Sequence, residues 1–162
     1  MPDTARQPDV PVPPFEPYRA VTRLIERLHR LYLDVIRADL GRMGIEDISA
    51  VQALLLTNIG SAEVNVRTLM ERGYYQGSNA SYNLKKLVET GYLEQFRSPH
   101  DRRATIVRLT DKGHDLTRRF EALETTFAKD FDGEGGAFRT MIDQLTNLER
   151  DWTDYIRFGP RS

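Results

Sequence analysis

The segment from residue 77 to residue 113 restricts the fold of this chain more than any other stretch. A helix is predicted at residues 78–90, because apolar residues recur there at the spacing of one helical face. Those residues are Ala80, Leu84, Leu87 and Val88. Two short strands are predicted next, at 92–97 and 104–109, on either side of a turn. A helix followed by such a hairpin has the dimensions to fit a major groove of DNA and the minor groove beside it.

The other face of this predicted helix is polar. It carries six residues that could contact DNA: Ser78, Asn79, Ser81, Tyr82, Lys85 and Lys86. In a major groove, the four residues of the N-terminal half would lie near base edges and phosphates, where an asparagine can bond adenine bidentately. The two lysines would reach phosphates, which position a protein without reading the sequence. The alternative is that all six are simply the solvated side of a surface helix.

The charge of the chain is unevenly distributed. Its net charge of −1 argues against a protein that binds nucleic acid through overall charge. Between residues 78 and 108, however, six basic residues stand against three acidic ones. This local excess would double in a dimer. A solvated charged surface is the more common explanation of such a run, so the charge is weak evidence by itself.

The composition excludes several classes of site. The chain has no cysteine, which rules out disulfides, thiolate zinc sites and thiol redox sensing. Its three histidines are widely spaced and form no metal-ligand pattern, so no cofactor is expected. No apolar run approaches the roughly 18 residues needed to span a bilayer, and the acidic, proline-rich N-terminus does not resemble a secretory signal. We therefore expect a cytoplasmic protein with no membrane partner.

The first 17 residues contain six prolines and predict an extended or disordered arm. This arm is either a flexible tail or a segment that crosses onto a partner subunit, anchored by Val10, Val12 and Phe15. A long helix with a broad apolar face is predicted to follow, from Tyr18 to Leu40.

Residues 45–110 have the pattern of a winged helix-turn-helix. Ser49 and Gln52 are spaced as a capping box at the start of a helix that stops near Gly60. A short strand at 63–64 and a brief helix at 66–72 are predicted next. With the polar-faced helix after them, they form two short helices joined by a tight turn.

Two further helices are predicted after the hairpin, at 111–131 and 137–156. Like the helix at 18–40, they carry more apolar surface than a small winged domain could cover. The segments 18–40 and 111–162 are therefore predicted to form a dimerisation region around a two-fold axis. The predicted fold is mainly α with a small β-hairpin wing: a winged helix-turn-helix with N- and C-terminal dimerisation helices.

The hairpin and its flanks resemble the MarR-type winged helix-turn-helix regulators. The match is Asp101-Arg102-Arg103 followed by Leu109-Thr110-Asp111-Lys112-Gly113, which follows the wing signature of that family. The resemblance covers about residues 20–157. It implies a transcriptional regulator that binds an inverted-repeat operator in double-stranded DNA as a homodimer.

One segment departs from the family pattern. Residues 74–79 read Tyr-Tyr-Gln-Gly-Ser-Asn, where the family more often has leucine-serine-x-serine-x-valine before the recognition helix. This difference affects which bases are read. The same run resembles a smaller branch, the LdtR-type regulators, and that resemblance implies control of cell-envelope or osmotic-stress genes.

The resemblance also implies roles for the wing and for a ligand. Arg103 matches the minor-groove arginine of the family, Arg102 is a candidate phosphate contact, and Asp101 would hold the wing tip by pairing with one of them. Regulators of this family respond to small, often aromatic or anionic effectors bound between the dimerisation helices and the winged core. The predicted pocket residues are His29, Tyr32 and Leu55, although an ordinary surface or core histidine is the alternative for His29.

Two other functions are alternatives to DNA binding. An enzyme is disfavoured, because the sequence has no glycine-rich phosphate loop, no nucleophile elbow and no paired histidines on a helix. A winged helix used only for protein–protein contact is the second alternative. It would be expected to have an acidic or apolar recognition face, whereas this face is polar and basic.

Overall fold

The computed structural model describes residues 15–71, 78–99, 101, 103–131 and 136–160. The helices and strands follow in the order α1 (Phe15–Arg42), α2 (Ala50–Ile59), β1 (Val64–Asn65), α3 (Val66–Glu71), α4 (Ser78–Glu89), β2 (Leu93–Arg97), β3 (Thr105–Leu109), α5 (Asp111–Phe131) and α6 (Gly136–Phe158). The predicted fold class is confirmed, since the chain is mainly helical with a small antiparallel sheet. The tight turn predicted between the two short helices, at residues 74–77, lies outside the described residues.

The first helix is longer than predicted. It begins at Phe15, three residues before the expected Tyr18, and ends at Arg42. Pro17 suggested extended chain, but proline is tolerated in the first turn of a helix, where its missing N–H has no intrahelical partner to lose. Phe15 and Pro17 are therefore helical rather than part of an extended arm. Residues 1–14 of the predicted arm lie outside the described part of the chain.

The start of α2 confirms the predicted capping box. Ser49 Oγ accepts a hydrogen bond from the backbone N–H of Gln52 at 3.3 Å, and Gln52 Oε1 accepts one from the backbone N–H of Ser49 at 2.9 Å. These bonds satisfy N–H groups that the first turn of a helix leaves unpaired. The helix ends at Gly60, whose φ of 66° suits a residue without a Cβ.

The wing belongs to a three-stranded antiparallel sheet in the order β1-β3-β2. Val107 of the central strand pairs with Val64 on one side and Gln95 on the other. The predicted strand at 63–64 is observed at Val64–Asn65, and it joins the sheet as an edge. The wing is thereby hydrogen-bonded to the strand that leads directly into α3.

The winged elements have a leucine-rich core. Its most deeply buried side chains come from the three helices α2, α3 and α4 and the two strands β2 and β3: Leu55, Leu56, Leu69, Leu87, Leu93 and Val107. Each of these side chains contributes about 1.5–3 kcal/mol by its removal from water. Within this unit α2 contacts α1, α4 and β3, and α4 contacts β2. The core therefore holds α4 against the second helix and the wing.

The chain divides into two compact units at the boundary between Thr110 and Asp111. In the second unit, α5 buries Leu116 and Phe120 in its first half, whereas none of the described residues of α6 is buried. The first unit contains α1 together with the winged elements. The functional grouping of residues 18–40 with 111–162 as a dimerisation region stays a prediction.

Candidate nucleic-acid interface

The fourth helix presents a polar face to solvent. Its apolar face packs inward through Ala80, Leu84 and Leu87, which are all buried. The described side chains of Asn79, Ser81, Tyr82 and Lys85 are exposed, while that of Lys86 is half-buried. Ser78 is the first residue of the helix. Four of the six residues predicted to contact DNA are thus exposed together on one helix, because the buried residues fix which side points outward.

Two of these residues have properties that bear on DNA binding. Tyr82 is 65% exposed, which is unusual for a large aromatic side chain. Lys85 Nζ lies 3.8 Å from Glu89 Oε1 one turn along the helix. An exposed pair of this kind contributes little to stability, so the lysine can exchange its carboxylate partner for a phosphate at small cost.

The turn of the wing is closed by local hydrogen bonds. Asp101 Oδ1 accepts a bond from the backbone N–H of Arg103 at 2.9 Å, and the backbone N–H of Ser98 donates to the carbonyl of Ala104 at 2.9 Å. The carboxylate of Asp101 thus holds the backbone of the turn at Arg103, and its predicted pairing with the side chain of Arg102 stays a prediction. In the described part of the chain, the guanidinium of Arg103 is exposed and has no carboxylate at ion-pair distance. Arg102 lies outside the described residues.

A cleft of about 520 Å³ separates the wing turn from the start of α3. It is lined by Asn65, Val66, Arg67, Asp101, Arg103, Ala104 and Thr105. Arg67 and Arg103 are both exposed and both line the cleft. Sequence reasoning missed Arg67, because it stands outside the basic run of residues 78–108. The only signal was an arginine two residues after the strand that pairs with the wing.

A different arginine of the wing is engaged within the protein. Arg108 Nε donates to Glu94 Oε1 at 2.5 Å, and Arg108 Nη1 donates to Glu63 Oε1 at 3.0 Å. Its guanidinium also lies 5.1 Å from the centre of the Phe96 ring. The hydrogen bonds with Glu94 and Glu63 raise the pKa of Arg108 above its usual value. The positive charge of Arg108 is therefore matched by two carboxylates and contributes little to attracting DNA.

The predicted ligand-pocket residues do not meet in one described cavity. His29 and Tyr32 are exposed on α1, whereas Leu55 is 1% exposed in the core of the winged unit. A cavity of about 400 Å³ does lie between the C-terminal part of α1 and the start of α2. Its walls are mainly apolar, with one arginine: Leu33, Arg37, Leu40, Gly41, Ile45, Ile48, Ser49, Ala50 and Val51.

The described residues contain no cluster of three or more histidine, aspartate or glutamate side chains placed to bind a metal ion. No helix among them is both long enough and apolar enough to cross a bilayer.

Comparisons with known proteins match this geometry. Residues 48–113 match the model of a family described as winged helix DNA-binding domain. Over 145 residues the chain is 34% identical to the exopolysaccharide II synthesis transcriptional activator ExpG of Rhizobium meliloti. This alignment covers 88% of this chain and 75% of ExpG.

Two solved structures share the fold. The structure of Streptococcus pneumoniae FabT in complex with DNA has a TM-score of 0.69 at 21% identity, covering 85% of this chain and 98% of that one. A mutant of MarR from E. coli complexed with operator DNA has a TM-score of 0.62 at 20% identity, covering 83% of this chain and 99% of that one.

Proposed function

Because this chain belongs to the MarR family of winged helix-turn-helix transcriptional regulators, which bind DNA, we propose that it reads an inverted-repeat operator as a homodimer whose DNA affinity a small effector changes. The observation that carries this proposal is the exposed polar face of α4 beside a wing turn that Asp101 holds in place. A helix of this kind fits a major groove, and an arginine-bearing wing fits the adjacent minor groove.

In this proposal Asn79 and Tyr82 read base edges, together with Ser78 and Ser81 at the start of α4. Lys85 and Lys86 bind phosphates, and their contribution falls as salt concentration rises. Arg103 enters the minor groove, where a narrow A·T-rich segment has the more negative potential. Arg102 is proposed as a further phosphate contact.

The wing cleft supports one further backbone contact. Arg67 and Arg103 come from different elements but face the same cleft, which is large enough to admit a phosphate group. We include Arg67 among the proposed phosphate contacts, because a cation on α3 can hold the strand that runs past the wing.

Exposed apolar stripes on two helices support the homodimer. On α1 the stripe consists of Val21, Leu24, Leu28, Leu31 and Val35, all exposed and spaced three and four residues apart. On α6 it includes Met141, Ile142, Leu145, Tyr155 and Ile156. Exposed apolar surface of this extent marks an interaction site, and a second copy of the chain offers the same stripes. Two copies would present their α4 helices about 34 Å apart, one turn of DNA.

The cavity between α1 and α2 is the best described candidate for an effector site. Its apolar walls and the single arginine, Arg37, suit a small molecule with an apolar body and an anionic group. A site that uses His29, Tyr32 and Leu55, as the family resemblance implies, is a second hypothesis. At either site an effector acts only through a difference in its affinity for the DNA-binding and non-binding conformations.

The target genes are proposed to act at the cell surface. The relative ExpG is named as an activator of exopolysaccharide II synthesis, and the resemblance to the LdtR-type branch implies envelope genes. Both lines of reasoning suggest promoters of cell-surface polysaccharide or envelope genes as the operators to test.

The deciding experiment is selection of duplexes from a random pool by the purified full chain, followed by affinity measurement across salt concentrations. An enriched inverted repeat, bound with a log affinity that falls steeply with log salt, supports the proposal. About six to ten neutralised phosphates would produce such a slope. A folded protein that enriches no sequence and binds no duplex at low salt would instead favour the protein–protein alternative.

A further inference from the structure

Two side-chain amides occupy apolar positions where α2 meets α4. The buried face of α2 includes Gln52, Leu55, Leu56 and Ile59. The inward face of α4 includes the buried Ala80, Leu84 and Leu87 and the half-buried Asn83. Both sets follow the i, i+3, i+4, i+7 spacing of a packed helical face. Gln52 and Asn83 thus stand at positions where a leucine would extend the core.

The two amides are bonded to each other across the helix interface. Gln52 Nε2 donates to Asn83 Oδ1 at 3.2 Å, and the same glutamine side chain accepts the backbone N–H of Ser49 through Oε1 at 2.9 Å. Gln52 is only 5% exposed. Both ends of its amide are therefore occupied, one by the cap of α2 and the other by the helix that we propose enters the major groove.

A polar pair within an apolar interface restricts geometry more than it adds stability. Apolar side chains tolerate small changes in rotation and slide between helices, whereas a buried amide pair loses its hydrogen bond and leaves polar groups unsatisfied. A single buried asparagine in a coiled coil fixes register for this reason. The Gln52–Asn83 bond has the same character, because it is partly buried and joins α2 to the middle of α4, 31 positions along the chain.

We propose that Gln52 is a positioning residue for DNA recognition, which fixes the rotation and slide of α4 through Asn83. This inference rests on the proposed reading of bases by α4. Asn79 lies one turn before Asn83, and Tyr82 is its immediate neighbour. A rotation of about 20° moves side-chain tips at a radius of about 5 Å by roughly 2 Å, which is enough to break a hydrogen bond to a base edge.

The test compares Gln52→Leu, Asn83→Leu and the double variant, each as the full chain. The quantity measured is the discrimination ratio: the dissociation constant for a scrambled duplex divided by that for the duplex selected by the wild-type protein. Each single variant is expected to lower this ratio about tenfold, the effect of losing one good base contact. The double variant should lower it no further, because all three lack the same bond.

Ser49→Ala is the matched control. It removes the acceptor for the N–H of Gln52 and so weakens the cap, but leaves the Gln52–Asn83 bond in place. Its melting temperature should fall while its discrimination ratio stays at the wild-type value. The double leucine variant covers the case in which one single variant fails to fold, because it fills the interface with apolar side chains and leaves no side-chain amide without its partner.

Three results would overturn the inference. A wild-type ratio in Gln52→Leu would show that the link does not position α4. Additive losses in the double variant would mean that Asn83 itself touches DNA, since the buried Gln52 cannot. Equal weakening on both duplexes, with the ratio unchanged, would leave only a role in stability.

Amide hydrogen exchange of the free protein separates this inference from the proposed function. Gln52→Leu should speed exchange in residues 78–89 and leave α5 unchanged. If the wild-type protein selects no operator, the proposed function fails. Faster exchange in α4 would still support the link, and unchanged exchange would refute it.

Discussion

The helices α4 and α6 are both amphipathic, but their apolar faces differ in burial. The apolar face of α4 is buried within its own unit, where Leu87 has no exposed surface. None of the described residues of α6 is buried, and Leu145 is 42% exposed. The same helical pattern therefore has two outcomes: in α4 it completes a core that directs a polar face outward, and in α6 it leaves large apolar side chains exposed.

This difference indicates which parts of the proposed function depend on the concentration of the protein. Contacts of the winged unit form within one chain and persist at any dilution. The apolar stripes of α1 and α6 are proposed to be covered only when two chains meet. Substitutions in α6 should therefore change dimerisation, whereas substitutions in the apolar face of α4 should change the stability of the single chain.

The largest effect is expected at the stripe of α6. Leu145→Asp places a charge in the proposed dimer interface and should raise the dimer dissociation constant at least about 100-fold, as burial of an unpaired charge is costly. Analytical ultracentrifugation measures the change. Asn147→Asp adds the same charge on the opposite side of the helix and should leave the dimer intact. A dimeric Leu145→Asp variant would place the interface elsewhere.

A second substitution contrasts the two helices directly. Leu87→Ala should lower the free energy of unfolding by about 2–5 kcal/mol, because it opens a cavity in a packed core. Once the contribution of dimerisation to the free energy of unfolding is subtracted, the loss caused by Leu87→Ala should be the same at every protein concentration. Leu145→Ala should instead weaken the dimer, so its effect on melting temperature should grow as the protein is diluted. Matching concentration dependence in both variants would contradict the contrast.

At the wing, Arg103→Ala should lower operator affinity about tenfold without changing fold or dimer. Fluorescence anisotropy with the selected duplex measures the loss. Arg108→Ala is the matched control, because its guanidinium already pairs with Glu94 and Glu63 and should matter little for DNA. A loss from Arg108→Ala as large as that from Arg103→Ala would reverse the assignment of these two arginines.

The smallest effect is expected at the cap of α2. Ser49→Ala should lower the free energy of unfolding by about 1 kcal/mol, since one backbone N–H loses its acceptor. Denaturant titration measures this change, with Ser61→Ala in the exposed turn after α2 as a control. No difference between the two variants would show that the capping box adds nothing to the stability of the winged unit.

Local interactions made much of this fold predictable. The capping box of Ser49 and Gln52, the end of α4 before Gly91 and the spacing of Ala80, Leu84 and Leu87 all involve residues within about one or two turns. Side chains so close in sequence meet whenever the helix forms. The type and order of the elements, the wing and the polar face of α4 therefore follow from the sequence.

The polar contacts that organise the site depend on the tertiary structure. Gln52 meets Asn83, Tyr92 Oη donates to Asp47 Oδ1 at 2.9 Å, and Arg108 reaches Glu63, across separations of 31, 45 and 45 positions. Arg108 counts toward the basic excess of residues 78–108, but packing matches it with two carboxylates, while Arg67 from outside that run lines the cleft beside the wing.

Sequence periodicity by itself determined that α4 and α6 each have an apolar face. Tertiary packing decided that the apolar face of α4 is buried within the chain and that of α6 is not. The reason is that a helical repeat depends only on residues of one turn, whereas burial depends on the surfaces that other segments bring against it. In α4 those surfaces come from α2 and β2. For α6 we propose that they come from a second chain.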